Sequence, residues 1–299
     1  MSIILVHGSV ETSTEPPFIQ GLETAAKKGY DALKASNNRL DAVEQAVIEL
    51  ENNPLYNAGY GSVLNRDGQA ELDGAIMDGV SGRFAAVAAM KGIRNAVSVA
   101  RKLMEDTKHV VVAGEGASLF AKEKGFADDS CISPEQMESW NYAMQLLKEG
   151  KQLDFSAYTG LKRETDTVGC ILLDDDGNHA AASSTGGSFL KLPGRVGDTP
   201  FIGGGIFASA DCAVVCTGRG EAFIQTLTAK YVDDGIHAGR HPEEVAIEAI
   251  RRLHRLTGEY GGLIVIDNKG RTAAVHNCDR FPVALVRNGK PEKVDPLRL

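Results

Sequence analysis

The stretch from Thr167 to Ser184 constrains the fold most. Thr167-Val-Gly-Cys-Ile-Leu-Leu173 is a short apolar run, Asp174-Asp-Asp-Gly177 carries turn chemistry, and His179–Ser184 returns. Two such runs joined by an Asp/Gly turn form a β-hairpin, and a hairpin is antiparallel. The device recurs near the C-terminus, where Gly262–Asp267 and Thr272–His276 flank the turn Asn268-Lys-Gly270 and Pro282–Val286 follows. A parallel sheet instead needs a long crossover between neighbouring strands. The expectation is therefore an α+β fold with a sheet-on-sheet core flanked by helices.

The remaining elements are read from apolar spacing. Ile3–Val6, Glu71–Asp78, Phe84–Met90, His109–Ala113 and Ala213–Cys216 are expected strands. Helices are expected over Pro17–Ala35, Asp41–Leu50, Asn95–Met104, Ala117–Lys124, Ser133–Gly150, Glu221 to about Val232, and Pro242–Leu256. Asp41 is placed to cap the second helix, and Ser133-Pro-Glu-Gln136 resembles a capping box. Lys151–Asp166 is polar, has no clean period and reads as an exposed linker.

Composition narrows the function by exclusion. Acidic residues outnumber basic ones 40 to 32, a net charge of −8, which argues against a nucleic-acid partner. No apolar run approaches the roughly 18 residues of a membrane span. Met1-Ser-Ile-Ile-Leu-Val-His-Gly8 lacks a basic leader and reads as a first strand rather than a signal peptide, so a cytoplasmic setting is expected. Cys131, Cys170, Cys212, Cys216 and Cys278 show no CxxC spacing and read as buried thiols. No phosphate loop, HExxH pair or G-x-S-x-G elbow occurs, so no catalytic metal is expected. Val110–Leu119 looks like a nucleotide-binding turn, but the position of the third glycine holds Leu119, and a tight turn into a helix is the preferred reading.

What remains is a cluster of glycine-flanked polar loops: Asp166-Thr167-Val-Gly169, Thr185-Gly-Gly187, the loop from Gly194 to Gly205 carrying Arg195 and Asp198, and Thr217-Gly-Arg-Gly220. A threonine hydroxyl needs a base, and its own α-amine can serve if the threonine is an N-terminus. The polar stretch ending one residue before Thr167 is the layout that a cut at this point requires. Arg195 offers a fork for a carboxylate and Asp198 an acceptor for an ammonium, together a grip on an α-amino acid head group. Thr217 and Gly218, ahead of a helix, could stabilise an oxyanion.

With Val6-His-Gly8, Tyr56-Asn-Ala-Gly-Tyr-Gly-Ser62 and Met77-Asp-Gly79 added, the chain resembles the plant-type asparaginase / isoaspartyl peptidase family of N-terminal-nucleophile hydrolases over nearly its whole length. The resemblance implies a four-layer αββα sandwich formed by residues 1–299 as one domain. It also implies autocleavage between Asp166 and Thr167 into segments 1–166 and 167–299, and a homodimer of processed units. It makes Thr167 the nucleophile, Thr185 its partner, Thr217 and Gly218 the oxyanion hole, and Asn57 a residue that positions the nucleophile. Arg195 and Asp198 hold the substrate head group, with Gly218 and Gly220 close to it. A structural sodium is implied on main-chain carbonyls of the Leu50–Tyr60 loop. The implied reaction is hydrolysis of the side-chain amide of L-asparagine or of a β-aspartyl dipeptide, with a small molecule as partner and neither nucleic acid nor membrane.

The chain departs from the pattern in three places. Many relatives open with His-Gly-Gly-x-Gly, in a loop that usually carries backbone strain beside the cleavage site. Here His7-Gly8 is followed by Ser9-Val-Glu11. Asp166 replaces the usual glycine before the nucleophile and could accept the threonine proton during the acyl shift. Arg219 replaces a histidine. Asp166 resembles glycosylasparaginase, whose substrate is the alternative within the class, although the sole tryptophan, Trp140, lies outside the N-terminal substrate region. An uncleaved amino-acid-binding protein on the same scaffold is the alternative outside it, with a nucleotide-binding enzyme behind both.

Overall fold

The computed structural model describes residues 1–127, 131–151, 153 and 167–299. In chain order these form β1 (Ile3–His7), α1 (Pro16–Ser36), α2 (Arg39–Asn52), β2 (Leu72–Asp78), β3 (Phe84–Met90), α3 (Ala96–Asp106), β4 (Val111–Ala113), α4 (Gly114–Glu123) and α5 (Pro134–Lys148). Then follow β5 (Thr167–Leu173), β6 (His179–Thr185), β7 (Ile206–Ala208), β8 (Cys212–Gly218), α6 (Gly220–Thr226), α7 (Thr228–His237) and α8 (Pro242–Thr257). The chain ends with β9 (Gly261–Asp267), β10 (Thr272–His276), β11 (Val283–Arg287), β12 (Lys290–Glu292) and β13 (Leu297–Arg298).

Two sheets result. One has eight strands in the order β12-β11-β1-β5-β6-β2-β3-β4, the other five in the order β13-β10-β9-β8-β7. Pairing is antiparallel except for β3 with β4 and β10 with β13. The hairpin expected from the sequence is β5–β6, and its turn is fixed by the Asp174 carboxylate, which accepts from Asp176 N and Asn178 N at 2.9 and 2.8 Å.

Alternation along the strands sets the layers. In β1 and β5, Ile4, Val6, Cys170 and Leu172 face helices α1 to α4, while Ile3, Leu5, Ile171 and Leu173 face the other sheet. From the five-stranded sheet, Val215, Ile264 and Ile266 meet them in the middle. Leu263 and Val265 point the other way, into the apolar faces of α6, α7 and α8. A strand buried on both sides reads as a continuous apolar run, which is why β5 shows no polar alternation. The molecule is a mixed α+β structure of two packed sheets with helices on the outer faces.

Several expectations need correction. Helix α2 begins at Arg39 and is capped by Asn38, whose Oδ1 accepts from Leu40 N at 2.9 Å. Asp41 lies inside the first turn, where it pairs with Arg101 at 2.5 Å. The single helix expected from Glu221 is two, α6 and α7, broken at Leu227 with φ +47°. Thr226 and Thr228 share a 2.6 Å hydrogen bond across the break, and the Thr226 hydroxyl also bonds back to Ala222 O, a pairing that competes with a continuous helix. Strand β4 starts at Val111, two residues later than expected, and α4 follows at once from Gly114, three residues earlier than expected, so 114–119 is a turn into a helix. Ser133 caps α5 by accepting from Gln136 N. All five cysteines are buried and free. Most of the expected linker 151–166 lies outside the described residues. Among the described residues no helix is long and apolar enough to cross a membrane.

Candidate active site

Thr167 is the first residue of β5, a strand held between β1 and β6. Register places it directly opposite Thr185, the last residue of β6. Both strands end at the same edge of the sheet, where β8 of the facing sheet ends at Gly218. A small cleft opens there, and Thr167, Thr185, Arg195, Asp198, Gly218 and Gly220 line it. The four glycine-flanked loops singled out in the sequence therefore converge on one place.

Gly218 sits at the end of β8 with φ +135°. A Cβ there would lie 2.6 Å from Gly261 Cα and 2.8 Å from Tyr260 O, so no other residue fits without moving β9. Gly220 is needed for close approach instead, since a Cβ would stand 2.9 Å from Asp198 Oδ1.

Arg195 already holds a carboxylate. Its Nε and Nη2 donate to Glu221 Oε1 and Oε2 at 2.9 and 2.8 Å. A guanidinium has two such edges, and Glu221 occupies only the Nε–Nη2 one. Nη1 faces the turns at Gly187 and Gly197, on the cavity side. Glu221 stands between two guanidiniums, with Arg219 Nε 3.6 Å away.

Asp198 is the least satisfied group in the site. It is buried, and its Oδ2 has no hydrogen-bond partner among the described residues. Burial raises its pKa to about 7, against the pull of Arg195. A buried carboxylate oxygen without a partner is an acceptor awaiting a donor.

Asn57 and Thr217 do not line the cavity. Asn57 stands behind it, donating from Nδ2 to Gly187 O at 2.7 Å, accepting at Oδ1 from Val63 N at 2.8 Å and at its carbonyl from Gly186 N at 3.0 Å. It fastens the turn after Thr185 to the Leu50–Tyr60 loop. Thr217 is fully buried, and its hydroxyl lies 2.7 Å from that of Ser9. Asp166 lies outside the described residues.

Other groups were not anticipated. Lys191 is buried beneath the cavity, donates to Glu71 O at 2.9 Å and lies close enough to Asp73 to interact with its charge. Burial lowers the pKa of this lysine and raises that of Asp73. The available signal is charges set between apolar residues, in Leu190-Lys-Leu192 and Ala70-Glu-Leu-Asp73. Glu51, also fully buried, accepts from Ser184 Oγ at 2.6 Å, Val97 N at 3.1 Å and Asn95 Nδ2 at 3.0 Å, and burial raises its pKa to about 7. It ties the strand end before Thr185 to the N-terminus of α3. Trp140 donates its indole N–H to Asn65 O at 2.9 Å and packs on Gly68, away from the site.

The opening loop keeps its strain without its glycines. Ser9 has φ +87° and Glu11 φ +62°, a region that costs a non-glycine residue about 1–3 kcal/mol. His7 is buried, and burial pushes its pKa down to about 3, so the ring is neutral. Its Nδ1 accepts from Ser9 N at 3.3 Å, which puts the ring proton on Nε2.

Comparison with known proteins places this geometry in context. A family model described as asparaginase matches residues 2–294. The plant-type L-asparaginase of Thermococcus kodakarensis is 38% identical over 303 residues, covering 98% of each chain. The isoaspartyl peptidase/L-asparaginase of Xenopus laevis is 36% identical, covering 96% of this chain and 92% of its own. The isoaspartyl peptidase of Escherichia coli is 40% identical, covering 93% and 90%.

Proposed function

The chain belongs to the asparaginase family, and on that premise we propose that it hydrolyses the side-chain amide of L-asparagine and the β-aspartyl bond of isoaspartyl dipeptides. One observation carries the reading at this site: one cleft brings together a strand-initial threonine, an arginine fork and a buried carboxylate with one oxygen unpartnered among the described residues. Head group and reacting amide of one small β-aspartyl substrate then meet the same set of residues.

In this reading the fold is the four-layer αββα sandwich of N-terminal-nucleophile hydrolases, and the chain matures itself. The Thr167 hydroxyl attacks the carbonyl carbon of residue 166, and the peptide C–N bond breaks as an ester forms. Water hydrolyses that ester, leaving the 166-residue segment with a carboxylate and Thr167 with a free amine. The amine then takes the hydroxyl proton while Thr167 Oγ attacks the substrate side-chain carbonyl. Gly218 N–H and the Thr217 hydroxyl stabilise the oxyanion. The protonated amine returns the proton to the leaving nitrogen, and water resolves the β-aspartyl ester. Arg195 holds the substrate α-carboxylate through its Nη1 edge, and Asp198 takes the α-ammonium.

The Leu50–Tyr60 loop fits a sodium ion chemically. The carbonyls of Leu50, Glu51 and Asn53 each accept one backbone N–H and keep a second lone pair, and such neutral hard oxygens suit an alkali cation. Pairing of processed units into dimers belongs to the same reading and is checked by sedimentation equilibrium. So does a reducing compartment, with which five buried free thiols agree.

The test is Thr167→Ala. The wild-type protein is expected to give fragments of 166 and 133 residues by intact mass and to release ammonia from L-asparagine. The variant is expected to stay one chain and to be inactive. An uncleaved wild type that binds asparagine without turning it over would instead favour an amino-acid-binding protein. Side-by-side assay of asparagine, a β-aspartyl dipeptide and an aspartylglucosamine ranks the substrates.

A further inference from the structure

We propose that Ser9 is a positioning residue for this reaction, acting through the hydroxyl of Thr217. The inference rests on the reading of Thr217 as an oxyanion donor.

Three oxygens stand in a row in the interior. Thr217 Oγ1 lies 2.7 Å from Ser9 Oγ, and Ser9 Oγ lies 3.2 Å from Val10 O. Both side chains are fully buried, so bulk water does not reach the row. A hydroxyl has one proton to donate, whereas a carbonyl has none. With no charge in the site, Thr217 donates to Ser9 Oγ, and Ser9 donates to Val10 O.

A negative charge forming on a substrate oxygen beside Gly218 changes the balance. The Thr217 proton turns towards it, and the Ser9–Thr217 bond loses that proton. Ser9 then turns its own proton from Val10 O to Thr217 Oγ1. Each move is a rotation about a Cβ–Oγ bond, no covalent bond breaks, and Thr217 is never left without a partner. A hydroxyl that accepts while it donates is the stronger donor, and the end of this row carries a charge.

The backbone argues that the side chain at position 9 is used. Its φ of +87° suits glycine, and its N–H is already placed by the bond to His7 Nδ1. Glycine would make the same turn at lower cost. What serine adds there is the hydroxyl.

The experiment uses purified protein whose processing is verified by intact mass. Ser9→Gly removes the hydroxyl and relieves the backbone, and Ser9→Ala removes it at unchanged φ. For both, kcat on L-asparagine is expected to fall about 3–10-fold with KM unchanged, the value of one hydrogen bond. Ser9→Gly is expected to melt no lower than wild type, which separates the loss from misfolding. Thr217→Val is the control, and adding Ser9→Gly to it is expected to cost nothing more. If Thr217→Val is slow but Ser9→Gly keeps wild-type kcat, the role of Ser9 is overturned and the role of Thr217 stands. If Thr217→Val keeps wild-type kcat, both fall. Equal losses in Ser9→Gly with and without Thr217→Val would also overturn the relay.

Discussion

Replacing Asp198 by Asn is expected to strengthen the fold and weaken the enzyme, each with its own pH dependence. The folded-state pKa of Asp198 is raised from 3.8 to about 7, because burial disfavours its charge. Between these values the folded chain keeps a proton that the unfolded chain has released. The Asp198 contribution to stability therefore falls as pH rises from about 4 to about 7 and is level above that. Roughly three pKa units at 1.36 kcal/mol each amount to about 4 kcal/mol of unfavourable ionisation at pH 8. The amide introduced by Asp198→Asn is neutral at every pH and escapes it. The variant should melt with the wild type near pH 4 and several degrees above it at pH 8, at about 2–4 °C per kcal/mol.

Function moves the other way. Oδ2 is the oxygen awaiting the substrate ammonium, and a hydrogen bond between charged groups contributes about 1.5–3 kcal/mol. Its loss should lower kcat/KM for L-asparagine by about 10–100-fold. In the wild type kcat/KM should rise with pH through about 7 as Asp198 ionises in the free enzyme, and in the variant only the limb of the Thr167 amine, at about 7.7–8, should remain. Succinamic acid, which is asparagine without its amine, is the control substrate. Melting curves from pH 4 to 8 and ammonia release on both substrates complete the assay. A variant that loses as much stability at pH 8 as at pH 4, or that loses activity on both substrates equally, refutes the reasoning.

Three further outcomes are expected. Glu221→Gln loosens the Arg195 fork by weakening two bonds of 2.9 and 2.8 Å, and should raise KM for asparagine several-fold with little change in kcat, read by steady-state kinetics. Gly218→Ala meets both a φ of +135° and a contact at 2.6 Å, so a loss of about 3 kcal/mol or more is expected in urea unfolding. Exchange of sodium for choline at constant ionic strength should lower Tm if the Leu50–Tyr60 carbonyls hold the ion, and an unchanged Tm counts against that site.

The parts of the fold that were legible share a cause. Strand β5 matched its expected span, Thr167–Leu173, because both faces are buried and a complete turn follows. Boundaries failed where two residues of one chemical type competed. Asn38 and Asp41 are both good caps, and the apolar period alone does not choose between them. The break at Leu227 was invisible because a positive φ at a leucine leaves no mark in composition. Strands β7, β12 and β13 have two or three residues, too few to show a period. At the site, loops announced by glycine are readable in the sequence, whereas the joint burial of Lys191, Glu71 and Asp73 comes from strands and loops far apart in the chain.

The opening loop shows the limit of reading strain from glycine content. Positions 9 and 11, where the resemblance implies glycine, are Ser9 and Glu11 here, and the loss of glycine suggests a relaxed backbone. Yet both residues stay in the left-handed region. A bent backbone at a non-glycine residue needs an offset of about 1–3 kcal/mol, and each side chain makes a bond worth part of it. The Glu11 carboxylate accepts from Asp279 N at 2.8 Å, which fastens the loop to the chain beyond β10. The Ser9 hydroxyl goes to Thr217. One substitution is thus tied to the scaffold and the other to the site, so Glu11→Gly should loosen the loop with little change in chemistry, whereas Ser9→Gly should leave the loop in place and slow the reaction.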